Sequence, residues 1–316
     1  MTPPSSKHKR LVFGLMLLLV NLLVLAVLHV GTVVWRCRAN LRVHNRWLGN
    51  LYQWDSQYGY APIPRHLAYH AMEDSDLVPV VYDENGFRVP TNTVAVPRRP
   101  GILFLGCSFT HGYGVTAEDT YAYRTARQLD AEPMNTGVSG WGLAPMMMKA
   151  REIVPAHKPV LVVAQFSNWL PERSMLLYGP TTWGKAPVPF IYEGRSGLAV
   201  HPPVFESVNA GFLAAERSGK GLLSFSWSPG LPLFLENDYR SLRTSLALLT
   251  GAIPRPVRSR EAAVDYAYGE IGKVCRENGA RLLILPIPAS ITDIPKDDLD
   301  KLPLTVIRTL DPLTRR

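Results

Sequence analysis

From Leu11 to Trp35 the chain is apolar almost without interruption, Asn21, His29 and Thr32 being the polar exceptions. Few folds accommodate such a stretch. A run of about 20 apolar residues crosses a bilayer as a helix, because every backbone N–H and C=O is then bonded within the segment. A cleaved secretion signal has a shorter apolar core and small residues at its cleavage site. This core runs instead into Val33-Val34-Trp35-Arg36. The expectation is an uncleaved transmembrane anchor over residues 11–35, preceded by a cytoplasmic tail at 1–10. Cys37 lacks the small residues that precede a lipidated cysteine.

The anchor also explains the charge. The 316 residues carry a formal net charge of +8. Seven basic residues (Lys7, Lys9, Arg10, Arg36, Arg38, Arg42 and Arg46) fall within residues 1–46, where no Asp or Glu occurs. Removing them from 34 leaves 27 basic against 26 acidic residues, a net of +1. The basic character belongs to the flanks of one segment, so a nucleic-acid-binding domain is not expected. Basic residues flank the span on both sides, so the positive-inside rule does not orient it. Cys37, Cys107 and Cys275 are too widely spaced for a disulfide framework or a metal site.

Residues 36–99 read as an irregular juxtamembrane lead-in, rich in Pro, Tyr and charge. Within it stand Gly59-Tyr60-Ala61-Pro62 and the run Asp83 to Arg88, where Asn85-Gly86 is a turn signal. Arg88 itself reads as a structural ion-pair residue. A domain begins near residue 100. Gly101–Leu105 is a short continuous apolar run, the pattern of a buried parallel strand. Thr116 and Asp119 open an expected helix to about Leu129. A brief strand near Met134, a helix over Pro145–Val154 and a strand over Pro159–Phe166 follow. Residues 175–255 read as an insertion of loops and short helices. Apolar residues at 264, 267, 268, 271, 274 and 275 then mark a helix from Ser259 to Asn278, with Gly279 as its stop, and Arg281–Pro288 is another buried strand. Strands alternating with helices predict a parallel α/β sheet with helices on both faces.

The first strand runs through Gly106 and Cys107 to Ser108, placing a serine where open parallel sheets bind ligands. Asn135-Thr136-Gly137-Val138-Ser139-Gly140 follows the second strand and Ser167-Asn168 the third. Gly106-Cys107-Ser108-Phe109-Thr110 resembles block I of the SGNH (GDSL-type) hydrolases, Asn135–Gly140 resembles block II and Ser167-Asn168 block III. The segment Asp83–Arg88 is similar to one preceding block I in membrane-anchored bacterial members. This resemblance, covering about Tyr58–Pro288, implies a flavodoxin-like three-layer fold over 100–316. It implies Ser108 as nucleophile and the backbone N–H groups of Ser108 and Gly140 with the side-chain amide of Asn168 as an oxyanion hole. Gly137 takes the place of Gly140 if the register differs.

Two departures matter. Cys107 stands where the family has Asp, and Trp169 where block III has its second acidic residue. More seriously, the family's Asp-x-x-His block, which carries the general base, has no counterpart, because no His follows His201. The tail offers Asp311-Pro312-Leu313-Thr314, with Thr in the histidine's place. Either the product is truncated or frameshifted, or the chain is a non-catalytic relative, or another histidine serves; His111 and His201 are the candidates. The resemblance implies an esterase or O-acyltransferase acting on an acylated small molecule or glycan, at a cell-envelope substrate, without cofactor or metal. It also favours a single-pass membrane protein with its domain on the extracytoplasmic (periplasmic) side. The rival readings are a glycan- or lipid-holding envelope module that uses the same cleft, and a regulatory membrane protein whose motifs are accidental. Oligomeric state is not legible.

Overall fold

A computed structural model of the chain describes residues 6–41, 45–48, 51–72, 76–92, 100–181, 184–206 and 230–287. Helix α1 (Ser6–Leu41) contains a stretch, Arg10–Thr32, long and apolar enough to cross a membrane, and none of it is buried against the rest of the chain.

The lead-in is more ordered than its composition suggests. Strands β1 (Asn45–Leu48), β4 (His66–Met72), β5 (Val78–Tyr82) and β6 (Arg88–Val89) form an antiparallel sheet, and β2 (Tyr52–Asp55) pairs with β3 (Gly59–Pro62). Asp83 organises the turn between β5 and β6. Its carboxylate accepts the N–H groups of Asn85 and Phe87 at 2.9 and 2.8 Å, and its carbonyl accepts that of Gly86, which has φ +74°. Such strands escape a reading of the sequence because their pairing partners, rather than local pattern, stabilise them.

The main sheet is parallel throughout, built from β7 (Gly101–Leu105), β8 (Glu132–Asn135), β9 (Leu161–Phe166) and β14 (Arg281–Pro286) in the order β8-β7-β9-β14. Around it stand α2 (Ser108–His111), α3 (Tyr121–Gln128), α4 (Leu143–His157), α5 (Trp169–Arg173) and, after an insertion, α7 (Arg260–Glu277). Alternation along β7 divides the core. Leu103 and Leu105 pack with Met147, Ala150, Ala267 and Ile271 of α4 and α7, while Ile102 and Phe104 pack with Ala122 and Ala126 of α3. Helices therefore cover both faces of the sheet, giving three layers. The expected helix from Thr116 starts later, at Tyr121. Thr116 and Asp119 bracket a 3-10 turn instead, and Thr120 caps the helix by accepting the N–H of Tyr123. The end of α7 matches its sequence signal. Gly279 has φ +72°, and the N–H groups of Gly279 and Ala280 return to the carbonyls of Arg276 and Cys275.

The insertion differs from the expected loops and short helices. It holds two hairpins, β10 (Tyr178–Thr181) with β11 (Gly184–Pro187) and β12 (Phe190–Gly194) with β13 (Gly197–His201), and a 20-residue helix, α6 (Gly230–Leu249). The tail motif at 311–314 lies outside the described residues.

Candidate functional site

In this strand order the chain reverses direction across the sheet between β7 and β9. Crevices at such a switch point, beyond the carboxyl ends of the strands, bind ligands. Ser108 follows β7, Gly140 follows β8 and Asn168 follows β9, so all three come off adjoining parallel strands at that one edge.

The loop after β7 is built by close approach. A Cβ on Gly106 would lie 1.9 Å from Thr110 Oγ1 and 2.5 Å from Gln165 Oε1. Only glycine lets the chain turn there into α2. Ser108 is the first residue of this one-turn helix and is half-buried; its Oγ lies 3.9 Å from Cys107 Sγ. Gln165, fully buried, ties the loop to β9. Its Oε1 accepts the Cys107 N–H at 3.0 Å and the Thr110 hydroxyl at 2.8 Å. Its Nε2 donates to Ser167 Oγ at 2.8 Å and to Cys107 Sγ at 3.2 Å. Ser167 Oγ in turn donates to the Ile287 carbonyl at 2.6 Å, beyond the end of β14.

Arg88 fastens the other end of α2. Its guanidinium donates to the carbonyls of His111, Gly112 and Val115, and the side chain is fully buried. This corrects the ion-pair reading of Arg88, since its described partners are carbonyls rather than a carboxylate. A cation at a helix C-terminus answers the carbonyl dipoles there, and burial holds its pKa below the usual arginine value.

The loop after β8 presses against α2. Asn135 Nδ2 donates to the Thr110 carbonyl at 2.8 Å, and its Oδ1 accepts the Gly137 N–H at 3.0 Å. A Cβ on Gly137 would lie 2.3 Å from the His111 nitrogen and 2.7 Å from the Thr110 carbonyl carbon. Gly137 is thus a packing glycine whose N–H is already given away. Gly140 has φ +86° and is buried. The lead-in holds this loop: Tyr60 donates to the Ser139 carbonyl at 2.9 Å, Tyr52 accepts the Ser139 N–H at 3.3 Å, and Tyr58 stacks on Trp141 at 5.1 Å.

Asn168 is half-buried and its carbonyl accepts from Arg260 at 2.6 Å. Among the described residues, the N–H groups of Ser108 and Gly140 and the side-chain amide of Asn168 have no hydrogen-bond acceptor. Phe109, 46% exposed and next to Ser108 in sequence, and Trp169, next to Asn168, have their rings 5.5 Å apart.

The two candidate histidines stand elsewhere. His111 is fully buried; its Nε2 meets the Tyr82 hydroxyl at 2.9 Å and its Nδ1 has no partner among the described residues. Neither ring nitrogen bonds Ser108, so the geometry gives no support to His111 as the base. Burial first, then Arg88 and His70, hold its pKa well below the ordinary histidine value. His201 closes β13, stacked on Phe190 at 4.9 Å with Nδ1 against the Pro202 carbonyl. Among the described residues no histidine hydrogen-bonds Ser108, and no group of three His, Cys, Asp or Glu is placed to hold a metal. Sequence reasoning missed Gln165, although a lone amide in Val162-Val163-Ala164-Gln165-Phe166 is the signal a buried polar anchor leaves.

No protein-family profile and no curated protein matches the chain. Among solved structures it is similar to AlinE4, an SGNH-hydrolase family esterase. One alignment has 23% identity and a TM-score of 0.20 over 22% of this chain and 41% of that one. A variant of AlinE4 aligns at 16% identity and a TM-score of 0.24, over 60% of this chain and 77% of that one. At these scores the likeness adds nothing to what the strand order and loops establish.

Proposed function

We propose that the protein is a membrane-anchored serine esterase or O-acyltransferase, with α1 as the anchor and the sheet edge at Ser108 as the reaction centre. The observation that carries this reading is the set of unclaimed donors. The N–H groups of Ser108 and Gly140 and the Asn168 amide lack acceptors among the described residues, while every loop bearing them is tied down by buried hydrogen bonds. Preorganised donors without partners suit an oxyanion, and each such donor is worth on the order of 100-fold or more in turnover. Ser108 Oγ would attack an acyl carbonyl and yield its proton to a base. The tetrahedral oxyanion would collapse to an acyl-enzyme and free the alcohol, and water or a sugar hydroxyl would take the acyl group. The Phe109–Trp169 pair offers contact to an acyl chain. Among the described residues no histidine bonds Ser108 to accept that proton. The domain lies on the extracytoplasmic side, with an acylated envelope glycan as its substrate class.

One observation favours a second reading. With both His111 ring nitrogens turned from Ser108, the cleft could hold an ester or glycan without turning it over. The purified full-length protein in detergent, assayed on p-nitrophenyl butyrate beside Ser108→Ala, separates the two. Hydrolysis lost in the variant supports the esterase. Folded protein with no turnover and unaltered ligand binding in Ser108→Ala supports the binding module.

A further inference from the structure

Helix α6 is turned inside out. Over residues 238–249, whose side chains are described, Ser241 and Thr244 are the buried ones, at 2% and 6% exposure. Tyr239, Leu242, Leu246 and Leu249 are 65%, 61%, 54% and 74% exposed. Their spacing of three, four and three residues puts them on one stripe of the helix. A water-facing helix has the opposite arrangement, so an exposed stripe of this kind marks an interaction surface.

What covers it follows from its neighbour. Helix α6 touches α1, and Asp238 Oδ2 lies 3.5 Å from His29 Nε2. Asp238 precedes Leu242 by four residues and so sits on the flank of the stripe. The apolar surface of α6 therefore continues that of α1. His29 is three residues inside the end of the apolar span at Thr32, or about 4.5 Å at 1.5 Å per residue. That is close to the shallow end of the depth at which interfacial helices bury their apolar faces, about 5–10 Å into the headgroup boundary. Arg240 and Arg243 lie off the stripe and line, with Phe205, Thr244 and Tyr239 at the stripe's start, a cavity of about 550 Å³. Arg240 donates to the Glu206 carbonyl at 2.7 Å, whereas Arg243 is exposed, and an arginine beside an apolar stripe reaches lipid phosphates while its stem stays in the apolar layer.

We propose that α6 lies in the membrane interface with Tyr239, Leu242, Leu246 and Leu249 in the lipid, docking the domain on the bilayer that α1 crosses. The proposal rests on the reading of α1 as an anchor. The test places a nitroxide at Leu246→Cys, Leu18→Cys or Lys273→Cys in the full-length chain carrying Cys37→Ser. The protein is reconstituted in vesicles of phosphatidylethanolamine and phosphatidylglycerol. All three positions are exposed, so labelling replaces no packing. Collision with oxygen reports lipid, and collision with a water-soluble nickel chelate reports solvent. The expected result is an oxygen-to-nickel ratio at Leu246 several-fold above that at Lys273 and close to that at Leu18. A Leu246 label open to nickel, with Leu18 in lipid, overturns the docking and leaves the anchor standing. A Leu246 label shielded from both reagents also overturns it, since protein, either the rest of this chain or a second copy, would then cover the stripe. A Leu18 label open to nickel removes the anchor and the docking with it.

Discussion

Gly137→Ala is the substitution in which packing and chemistry meet. The added methyl would stand 2.3 Å from the His111 nitrogen, 2.7 Å from the Thr110 carbonyl carbon and 2.9 Å from His111 Cα. All three are backbone atoms of α2, so no rotamer change relieves them. Reaching ordinary contact requires the loop and α2 to separate by about 1 Å, while Asn135 pulls them together through Thr110. Overpacking of this kind costs typically about 1–3 kcal/mol. For a domain of this size that lowers Tm by about 2–4 °C per kcal/mol. The same displacement moves Ser108, and a 1 Å misplacement costs on the order of 100-fold in rate. Gly269→Ala is the matched control. It sits exposed in the middle of α7 with nothing within 4 Å of its new Cβ, and should stabilise by about 0.5–1 kcal/mol. Thermal unfolding of both variants, with ester hydrolysis measured in parallel, decides the matter. A Gly137→Ala protein with unchanged Tm would refute the close approach of this loop to α2.

Three further outcomes are expected. Arg88→Met loses three charge-assisted bonds to carbonyls and should destabilise by about 3 kcal/mol or more; Arg88→Lys should not restore this, because an ammonium lacks the planar fork. The pKa of His70 is lowered to about 4 by burial and by Arg88, and that of His111 is also held well below the ordinary histidine value, by burial, Arg88 and His70. Both favour the neutral form when folded, so stability is full above about pH 6.5 and drains as pH falls toward 4, by up to about 1.4 kcal/mol per pH unit for each histidine; a Tm that stays flat from pH 7.5 to 5 would contradict this. Cys107 and Cys275 are buried, and burial pushes the Cys275 thiol up to about 11. A disulfide reagent at pH 8 should therefore leave both unmodified until denaturant is added.

The parts of the fold that could be read in advance are those whose signal is local. The runs at β7, β9 and β14 are apolar on both faces because helices cover both, and α7 carries a 3.6-residue period with its cap and stop. The lead-in strands and the insertion's hairpins escaped because two- to seven-residue strands are held by their pairing partners, distant ones for β1 with β4 and adjacent ones in the hairpins, rather than by a local pattern. Helix α6 escaped for a different reason. Its apolar period is present, but it points outward and a glycine- and proline-rich context obscures it. At the site, Ser108, Gly140 and Asn168 were legible as the residues after consecutive strands. The scaffolding contacts were not, since Gln165 meets Cys107 across 58 residues and Arg88 meets α2 across more than 20.

That scaffolding bears on what the sheet edge is for. A strand end kept only for stability would be filled with apolar side chains, since a buried polar network is at best modestly favourable and is costly where incomplete. Here Gln165, Asn135, Thr110 and Ser167 are all buried, and Gln165 makes four contacts that fix the turn before Ser108. Arg88 adds an arginine with no described carboxylate partner, held among the carbonyls at the far end of a four-residue helix. Two glycines are confined to zero side chain by this same assembly, Gly106 by the side chains of Thr110 and Gln165 and Gly137 by backbone atoms of α2. Each device constrains the position of α2, a helix too short to persist unaided, and α2 has one half-buried hydroxyl at its start. These polar contacts fix where Ser108 sits at the sheet edge, which supports the proposal of a reaction at an acyl carbonyl.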